Sequence, residues 1–168
     1  MISFQFDDEW IEVPAGTCHH HHESLLAYIR ARGLTQVKQM CEEGGCGACS
    51  LLELTNNGTE LVAVSACLIP LPQATGRVFV TSSALARTKS GRDMVKSFAD
   101  NFASQCGYCT PGIVAGVACA SSKEQRNVEL DGHICRCTGY RDGGVSSFTL
   151  IFDDICREFS SLCVIFPS

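Results

Sequence analysis

The sequence has 168 residues, of which 45% are apolar and 18% are charged, and its net charge is −5 with neutral histidines. Single domains usually contain about 100–150 residues, so this length predicts one or two small domains with enough apolar material for a core. The negative charge argues against nucleic-acid or anionic-membrane binding, because both of these partners attract a basic surface.

The first half of the chain predicts strands and turns around one helix. Alternating apolar residues on both sides of an Asp7-Asp8 turn predict a β-hairpin over residues 2–13. A short helix is predicted over residues 24–31. A second hairpin is predicted from strands over 51–54 and 61–64, on either side of Asn57-Gly58. A last short strand is predicted over 77–81.

The second half predicts helices. The polar and small residues of 84–92 indicate a domain boundary. Beyond it apolar residues recur at spacings of three and four, first from Met94 to Phe102 and later from Val145 to Leu162. Thr110-Pro111 predicts a helix start with Thr110 as N-cap. We therefore predict two domains, over 1–83 and 84–168.

Cysteine is the residue type that says most about the class of protein. The chain has twelve cysteines. The N-terminus lacks the basic start of a secretory signal, and the apolar stretch over 113–120 is far shorter than the roughly 20 residues that span a membrane. We therefore expect a cytoplasmic chain without a membrane span, in which clustered cysteines bind metal or act in redox chemistry rather than form a disulfide scaffold.

The first cysteine cluster has the spacing of a plant-type [2Fe–2S] site. Cys41, Cys46 and Cys49 follow C-x4-C-x2-C, and Cys67 comes after seventeen intervening residues. The glycines at 44, 45 and 47 let the loop approach a cluster closely and point its N–H groups at the sulfurs. Structural zinc is the alternative, but zinc sites normally pair C-x2-C with a second C-x2-C or with H-x3–5-H. Neither pattern occurs here.

The second cluster is Cys106-x2-Cys109, then twenty-five residues, then Cys135-x-Cys137. Its spacing alone leaves zinc and iron–sulfur both open. Cys109 runs directly into the predicted helix start. We therefore expect the partial positive charge of the helix N-terminus to lower the pKa of the Cys109 thiol and to favour an anionic cluster.

These motifs together resemble the molybdenum hydroxylases, the family of xanthine dehydrogenase and aldehyde oxidase. Residues 105–112 (QCGYCTPG) and 135–140 (CRCTGY) resemble that family's helical cluster domain, and residues 41–49 with 65–67 (SAC) resemble its plant-ferredoxin-like domain. The resemblance covers roughly 2–160 and is to the separate small iron–sulfur subunit of heteromeric members. It implies an α+β chain, with an N-terminal β-grasp domain followed by an all-α helical bundle.

The resemblance also implies a function. Enzymes of this family hydroxylate a carbon of a heterocycle or aldehyde, and electrons pass from a molybdopterin centre through two [2Fe–2S] clusters to FAD. Gln105 matches the glutamine that hydrogen-bonds the pterin, and the Cys137 sulfur matches the one that approaches it. The implied ligands of the cluster nearer the pterin are Cys106, Cys109, Cys135 and Cys137. Those of the cluster nearer the flavin are Cys41, Cys46, Cys49 and Cys67.

The remaining cofactors are expected on partner chains. The length leaves no room for molybdopterin or FAD domains, and the sequence has no G-x-G-x-x-G loop. The expected partners are a molybdopterin-binding large subunit and an FAD-binding medium subunit. Among substrates the motifs favour xanthine or another purine. The alternatives are a subunit for another N-heterocycle such as nicotinate or for an aldehyde, a free-standing ferredoxin-like carrier, and a zinc-stabilised interaction module.

Other histidines and cysteines have less specific interpretations. His19–His22 is predicted to be a solvated loop rather than a metal site. His133 replaces the Asn that is more usual two residues before the C-x-C pair. Because a Rieske-type site needs two histidines, we expect His133 beside the cluster or at the surface. Cys119 and Cys156 lie on apolar stripes and are expected in the core. Cys18 and Cys163 have no assigned role.

Overall fold

The computed structural model describes residues 1–14, 23–58 and 60–140. The interpretations of Cys18, His19–His22, Cys156, Cys163 and the stripe over 145–162 fall outside these ranges and stay predictions. The strands are β1 (Ile2–Phe6), β2 (Glu9–Val13), β3 (Ser50–Thr55), β4 (Glu60–Ser65) and β5 (Val78–Val80). The helices are α1 (Leu25–Ala31), α2 (Ser82–Leu85), α3 (Lys89–Asp100), α4 (Thr110–Cys119) and α5 (Lys123–Asp131). Within the described ranges, no helix is both long enough and apolar enough to cross a membrane.

Both predicted hairpins are confirmed. The strands form one mixed sheet in the order β2-β1-β5-β3-β4, in which only the β1–β5 pair is parallel. The first turn contains Asp7 at φ 52°, a left-handed conformation that Asp tolerates better than most residues. The second turn is a three-residue 3-10 turn, Asn56–Gly58, rather than the two-residue turn that Asn57-Gly58 indicates.

The sheet buries apolar side chains on both of its faces. Because side chains alternate along a strand, Leu51 and Leu52 point to opposite sides and lie in different apolar clusters. The first face packs against α1, whose Leu25, Leu26 and Ile29 are almost fully buried. Ser24 begins this helix by accepting a hydrogen bond from the Ala27 N–H at 3.1 Å, as an N-cap does.

The second face of the sheet is covered by helices from the C-terminal half. One apolar cluster contains Val80 of β5, Leu85 of α2, Met94 of α3 and Val117 of α4. The interpretation of 84–92 as a polar linker is wrong, because Leu85 is fully buried and Thr88 caps α3 through a bond from the Gly91 N–H. The predicted combination of a sheet and helices is confirmed, while the domain bounds 1–83 and 84–168 stay a prediction.

The helical periodicity is partly correct. Met94 and Phe98 are buried on α3, but α3 ends at Asp100, so Phe102 lies beyond it at φ 54° and is 71% exposed. The N-cap of α4 is Cys109 rather than Thr110. Helix α5 was not predicted. Its signal is Ser122, which accepts a bond from the Gln125 N–H three residues later, as in a capping box.

Candidate metal centres

The sheet places the first group of thiols at one end of a strand pair. Cys49 directly precedes β3, and Cys67 lies in the 3-10 turn that follows β4. Since Ser50 pairs with Ser65 in antiparallel register, the two cysteines reach the same edge of the sheet. The Ala66 N–H also donates to the Cys49 carbonyl at 3.3 Å. The loop before β3 brings the other two predicted ligands to the same place.

The four thiols of this first group contact one another in two pairs. A side-chain hydrogen bond joins Cys41 to Cys46, and another joins Cys49 to Cys67. Cys46 also acts electrostatically on Cys49, so the pairs are neighbours. The structure therefore brings together all four residues that the C-x4-C-x2-C…C spacing selects.

Backbone N–H groups point at the first group, as the glycine-rich loop predicts. Hydrogen bonds from the N–H of Glu43 and the thiol of Cys46, with weaker ones from the loop N–H groups, lower the pKa of Cys41 to about 7. Gly44 has φ +80°, and a Cβ there would lie 2.5 Å from Leu68 Cδ1. A side chain at this position would therefore suffer both backbone strain and a clash.

Most of the first group is removed from solvent. Cys46, Cys49 and Cys67 are buried, and only Cys41 is partly accessible. Burial raises the pKa of Cys49 to about 12, although the N–H of Cys67 opposes this shift. A thiolate at Cys49 therefore requires a compensating positive charge, which bound iron would supply.

The second group is built from a helix cap and a turn. Cys106 and Cys109 precede α4, and Cys135 and Cys137 follow α5. Side-chain hydrogen bonds join Cys106 to Cys137 and Cys109 to Cys135. The turn is held by Tyr140, whose hydroxyl accepts a bond from the Cys135 N–H at 2.9 Å. All four predicted ligands thus come together here as well, again in two contacting pairs.

Local hydrogen bonds favour thiolates in the second group. The N–H of Tyr108 lowers the pKa of Cys106. The contact with Cys106 raises the pKa of Cys137. Burial opposes ionisation of Cys135, but the hydroxyl and N–H of Thr138 lower its pKa to about 7. The hydroxyl oxygen of Thr138 lies 3.1 Å from the Cys135 sulfur.

The prediction that the helix N-terminus lowers the pKa of Cys109 is wrong. Burial, followed by the contact with Cys135, raises this pKa to about 11. Cys109 is the N-cap of α4, but its side chain makes no capping hydrogen bond. The partial positive charge of the helix end is therefore outweighed by loss of solvent around the sulfur.

The two groups of thiols are adjacent in the fold. The Ile134 N–H donates to the Cys46 carbonyl at 3.0 Å, and Ile134 is bonded covalently to Cys135. A Cβ on Gly112, in the first turn of α4, would lie 2.2 Å from the Gly47 carbonyl oxygen. One backbone hydrogen bond therefore connects a predicted ligand of the first group to a predicted ligand of the second.

The residues around the second group differ in exposure. Gln105, Cys106 and Cys137 are exposed, so they can reach a molecule bound at the surface. The hydroxyl of Tyr108 donates to the Gln39 carbonyl, two residues before Cys41. His133 is only 5% exposed, so the surface interpretation of this residue is wrong and the interpretation beside the cluster is retained.

The donor chemistry of both groups fits a [2Fe–2S] cluster. Within the part of the chain that the structure describes, no three His, Cys, Asp or Glu side chains form a site for a single metal ion. The thiols instead contact in pairs. A [2Fe–2S] cluster has two irons, and each takes two protein ligands, so two pairs of thiols match it. The nine cysteines of the described ranges all have free thiols.

Comparisons with known proteins agree with this chemistry. Residues 81–143 match the family described as a [2Fe-2S] binding domain. The chain contains an iron–sulfur domain. It is 38% identical over 132 residues to xanthine dehydrogenase 1 of Arabidopsis thaliana and 36% identical over 129 residues to xanthine dehydrogenase/oxidase of Mus musculus. Each alignment covers about 70% of this chain but only 10% of the relative.

Solved structures extend the similarity to nearly the whole chain. Quinoline 2-oxidoreductase from Pseudomonas putida 86 has a chain that superimposes with a TM-score of 0.67 and 26% identity, over 96% of this chain and 95% of that one. The aldehyde oxidoreductase from Desulfovibrio desulfuricans, with a TM-score of 0.66 and 23% identity, shows the same fold. The resemblance to the iron–sulfur part of the molybdenum hydroxylases is thereby confirmed.

Proposed function

We propose that this chain is the iron–sulfur electron-transfer subunit of a heteromeric molybdenum hydroxylase. When two [2Fe–2S] clusters are bound, they supply one-electron carriers between a molybdopterin centre and FAD. The observation that carries this proposal is the presence of two neighbouring groups of four thiols, each in two contacting pairs, connected by the bond from Ile134 to Cys46.

The pairing suggests which residues share an iron. In the first group, Cys41 and Cys46 hold one iron, while Cys49 and Cys67 hold the other. In the second group, the contacts suggest the pairs Cys106 with Cys137 and Cys109 with Cys135. The thiols with lowered pKa values supply thiolate most readily at neutral pH, and the raised pKa values of their neighbours fall once iron is bound.

The surroundings suggest different tasks for the two groups. Burial of Cys46, Cys49 and Cys67 keeps water away from the first group. Exposure of Cys106 and Cys137 leaves the second group open at the surface, where a partner chain can cover it. We therefore propose that Gln105 hydrogen-bonds the pterin and that the Cys137 sulfur lies next to it. The first group then lies on the side of the flavin.

The molybdopterin and FAD sites are proposed to lie on partner chains. The chain spans about a tenth of the length of the curated relatives that it matches, but 95% of the chain of quinoline 2-oxidoreductase. The second comparison supports a separate small subunit, accompanied by a molybdopterin-binding large subunit and an FAD-binding medium subunit. A cytoplasmic location stays a prediction from cysteine usage.

Xanthine or another purine is the proposed substrate of the complex. Support comes from the names of the relatives, which are xanthine dehydrogenases from plants, fungi and animals. An aldehyde, nicotinate or another N-heterocycle is the alternative, and the structural neighbour named for quinoline supports it.

Purification of the native complex tests this proposal. We expect molybdenum and flavin to travel with the chain, and xanthine to reduce the bound flavin. A chain that purifies alone with iron would support a free-standing carrier instead. A complex that contains molybdenum but oxidises only aldehydes or other heterocycles would contradict the purine assignment and retain the subunit role.

A further inference from the structure

His133 is a buried polar residue that lies between the two candidate metal centres. It is two residues before Cys135 and is only 5% exposed. Its Nδ1–H donates to the Glu129 carbonyl at 2.7 Å, which fixes the plane of the ring. Its backbone N–H donates to the Leu130 carbonyl at 3.0 Å, at the end of α5. The imidazole therefore has a defined position.

The ring fills a slot between two glycines from different parts of the chain. A Cβ on Gly47, in the first thiol loop, would lie 2.5 Å from His133 Cδ2. A Cβ on Gly116, in α4, would lie 2.8 Å from His133 Cε1. One edge of the imidazole thus packs on the loop of the first group, and the other packs on the helix that follows the second group.

The chemistry of the ring indicates that its shape matters. Nε2 is buried and has no hydrogen-bond partner among the described residues. An unmatched buried nitrogen disfavours folding, so polarity alone does not explain an imidazole here. A flat ring that separates Gly47 from Gly116 does explain it, because a smaller side chain would leave a void between the loop and α4.

We infer that His133 is a positioning residue that sets the separation and relative orientation of the two clusters. It acts on the first cluster through Gly47 and on the second through the turn that contains Cys135. This inference rests on the proposed function, since both groups must hold clusters. Its effect is on the coupling between the clusters rather than on the presence of either one.

The test compares the variants His133→Ala and His133→Asn with the native complex. The matched control is Val128→Ala, which truncates an exposed side chain on the neighbouring helix α5. Each protein is analysed for iron and then examined by low-temperature EPR after reduction with dithionite. The readout is the magnetic splitting between the two cluster signals, which falls steeply as the separation grows.

We expect His133→Ala to keep its second cluster and to lose or clearly change the splitting, while Val128→Ala matches the native protein. His133→Asn should lie between them, because its shorter side chain carries an N–H donor but fills less of the slot. Selective loss of iron from the first group, whose ligands lie far from residue 133 in sequence, also supports the inference.

Two results would overturn it. In the first, His133→Ala keeps its iron and shows the native splitting. In the second, only the second cluster is lost, which would restrict the role of His133 to its own turn. If the native protein itself contains no iron, the proposed function fails, and that failure is seen before any variant is compared.

Discussion

The two groups of thiols share one pattern of pairing but lie in opposite surroundings. The first group is formed by a strand end, a 3-10 turn and a glycine-rich loop, and three of its cysteines are buried. The second is formed by a helix cap and a turn, and two of its cysteines are exposed. The same donor set is therefore built by unrelated local structures. Burial, rather than ligand type, distinguishes the roles that we propose.

The largest effect is expected at an exposed ligand. Cys106→Ser should stop substrate-dependent reduction of the flavin and remove the EPR signal of the second cluster. The signal of the first cluster should remain, because Cys106 lies outside the buried core and contacts only the second group. The matched variant Cys49→Ser should instead remove the first signal. Turnover that survives in Cys106→Ser would contradict the proposed order of the clusters.

The contact between the two regions is tested by Gly112→Ala. The added Cβ would lie 2.2 Å from the Gly47 carbonyl oxygen, so either α4 or the first thiol loop must move. Overpacking of this kind costs about 1–3 kcal/mol, and we expect a corresponding fall in the free energy of unfolding measured in urea. Gly45→Ala is the control, because a Cβ there meets nothing within 4 Å. Equal stability of the two variants would show that the regions do not pack as described.

A smaller effect is expected at the hydroxyl that links the regions. Tyr108→Phe removes the bond to the Gln39 carbonyl and leaves the ring in place. Loss of one such hydrogen bond costs about 0.5–1.5 kcal/mol, and exposure of the site favours the lower end. Urea unfolding measures the loss. Because Gln39 precedes Cys41, the signal of the first cluster should shift although the substitution lies in the second motif. An unchanged first signal would argue against this link.

The smallest effect concerns the metal-free thiols and their dependence on pH. The thiolate reacts with iodoacetamide, so reaction rises with pH until the thiol pKa is passed. Cys41, with a pKa of about 7, should reach its plateau near neutral pH. Cys109, with a pKa of about 11, should still gain about tenfold per pH unit between pH 7 and 9. Site-resolved mass spectrometry measures both. Parallel profiles would contradict the different burial of the two thiols.

Sequence reasoning found the donor set but not its surroundings. The eight candidate ligands follow from spacing, and the hairpins follow from alternation and turn residues. The packing of 84–92 could not be predicted, because Thr88 and Ser90 are polar residues that become buried where α2 and α3 meet. The position of His133 was also hidden, since it depends on Gly47 and Gly116, which are distant in sequence. Such contacts come from tertiary packing, which local patterns do not record.

The central claim is that each group of four thiols holds its own [2Fe–2S] cluster. The most direct test is iron analysis with low-temperature EPR on the natively purified protein after reduction with dithionite. The account predicts about four iron atoms per chain and two distinct S = 1/2 signals, since each of two clusters contains two irons. Zinc at both sites without iron, and a colourless protein, would contradict the electron-transfer role and leave a metal-stabilised interaction module.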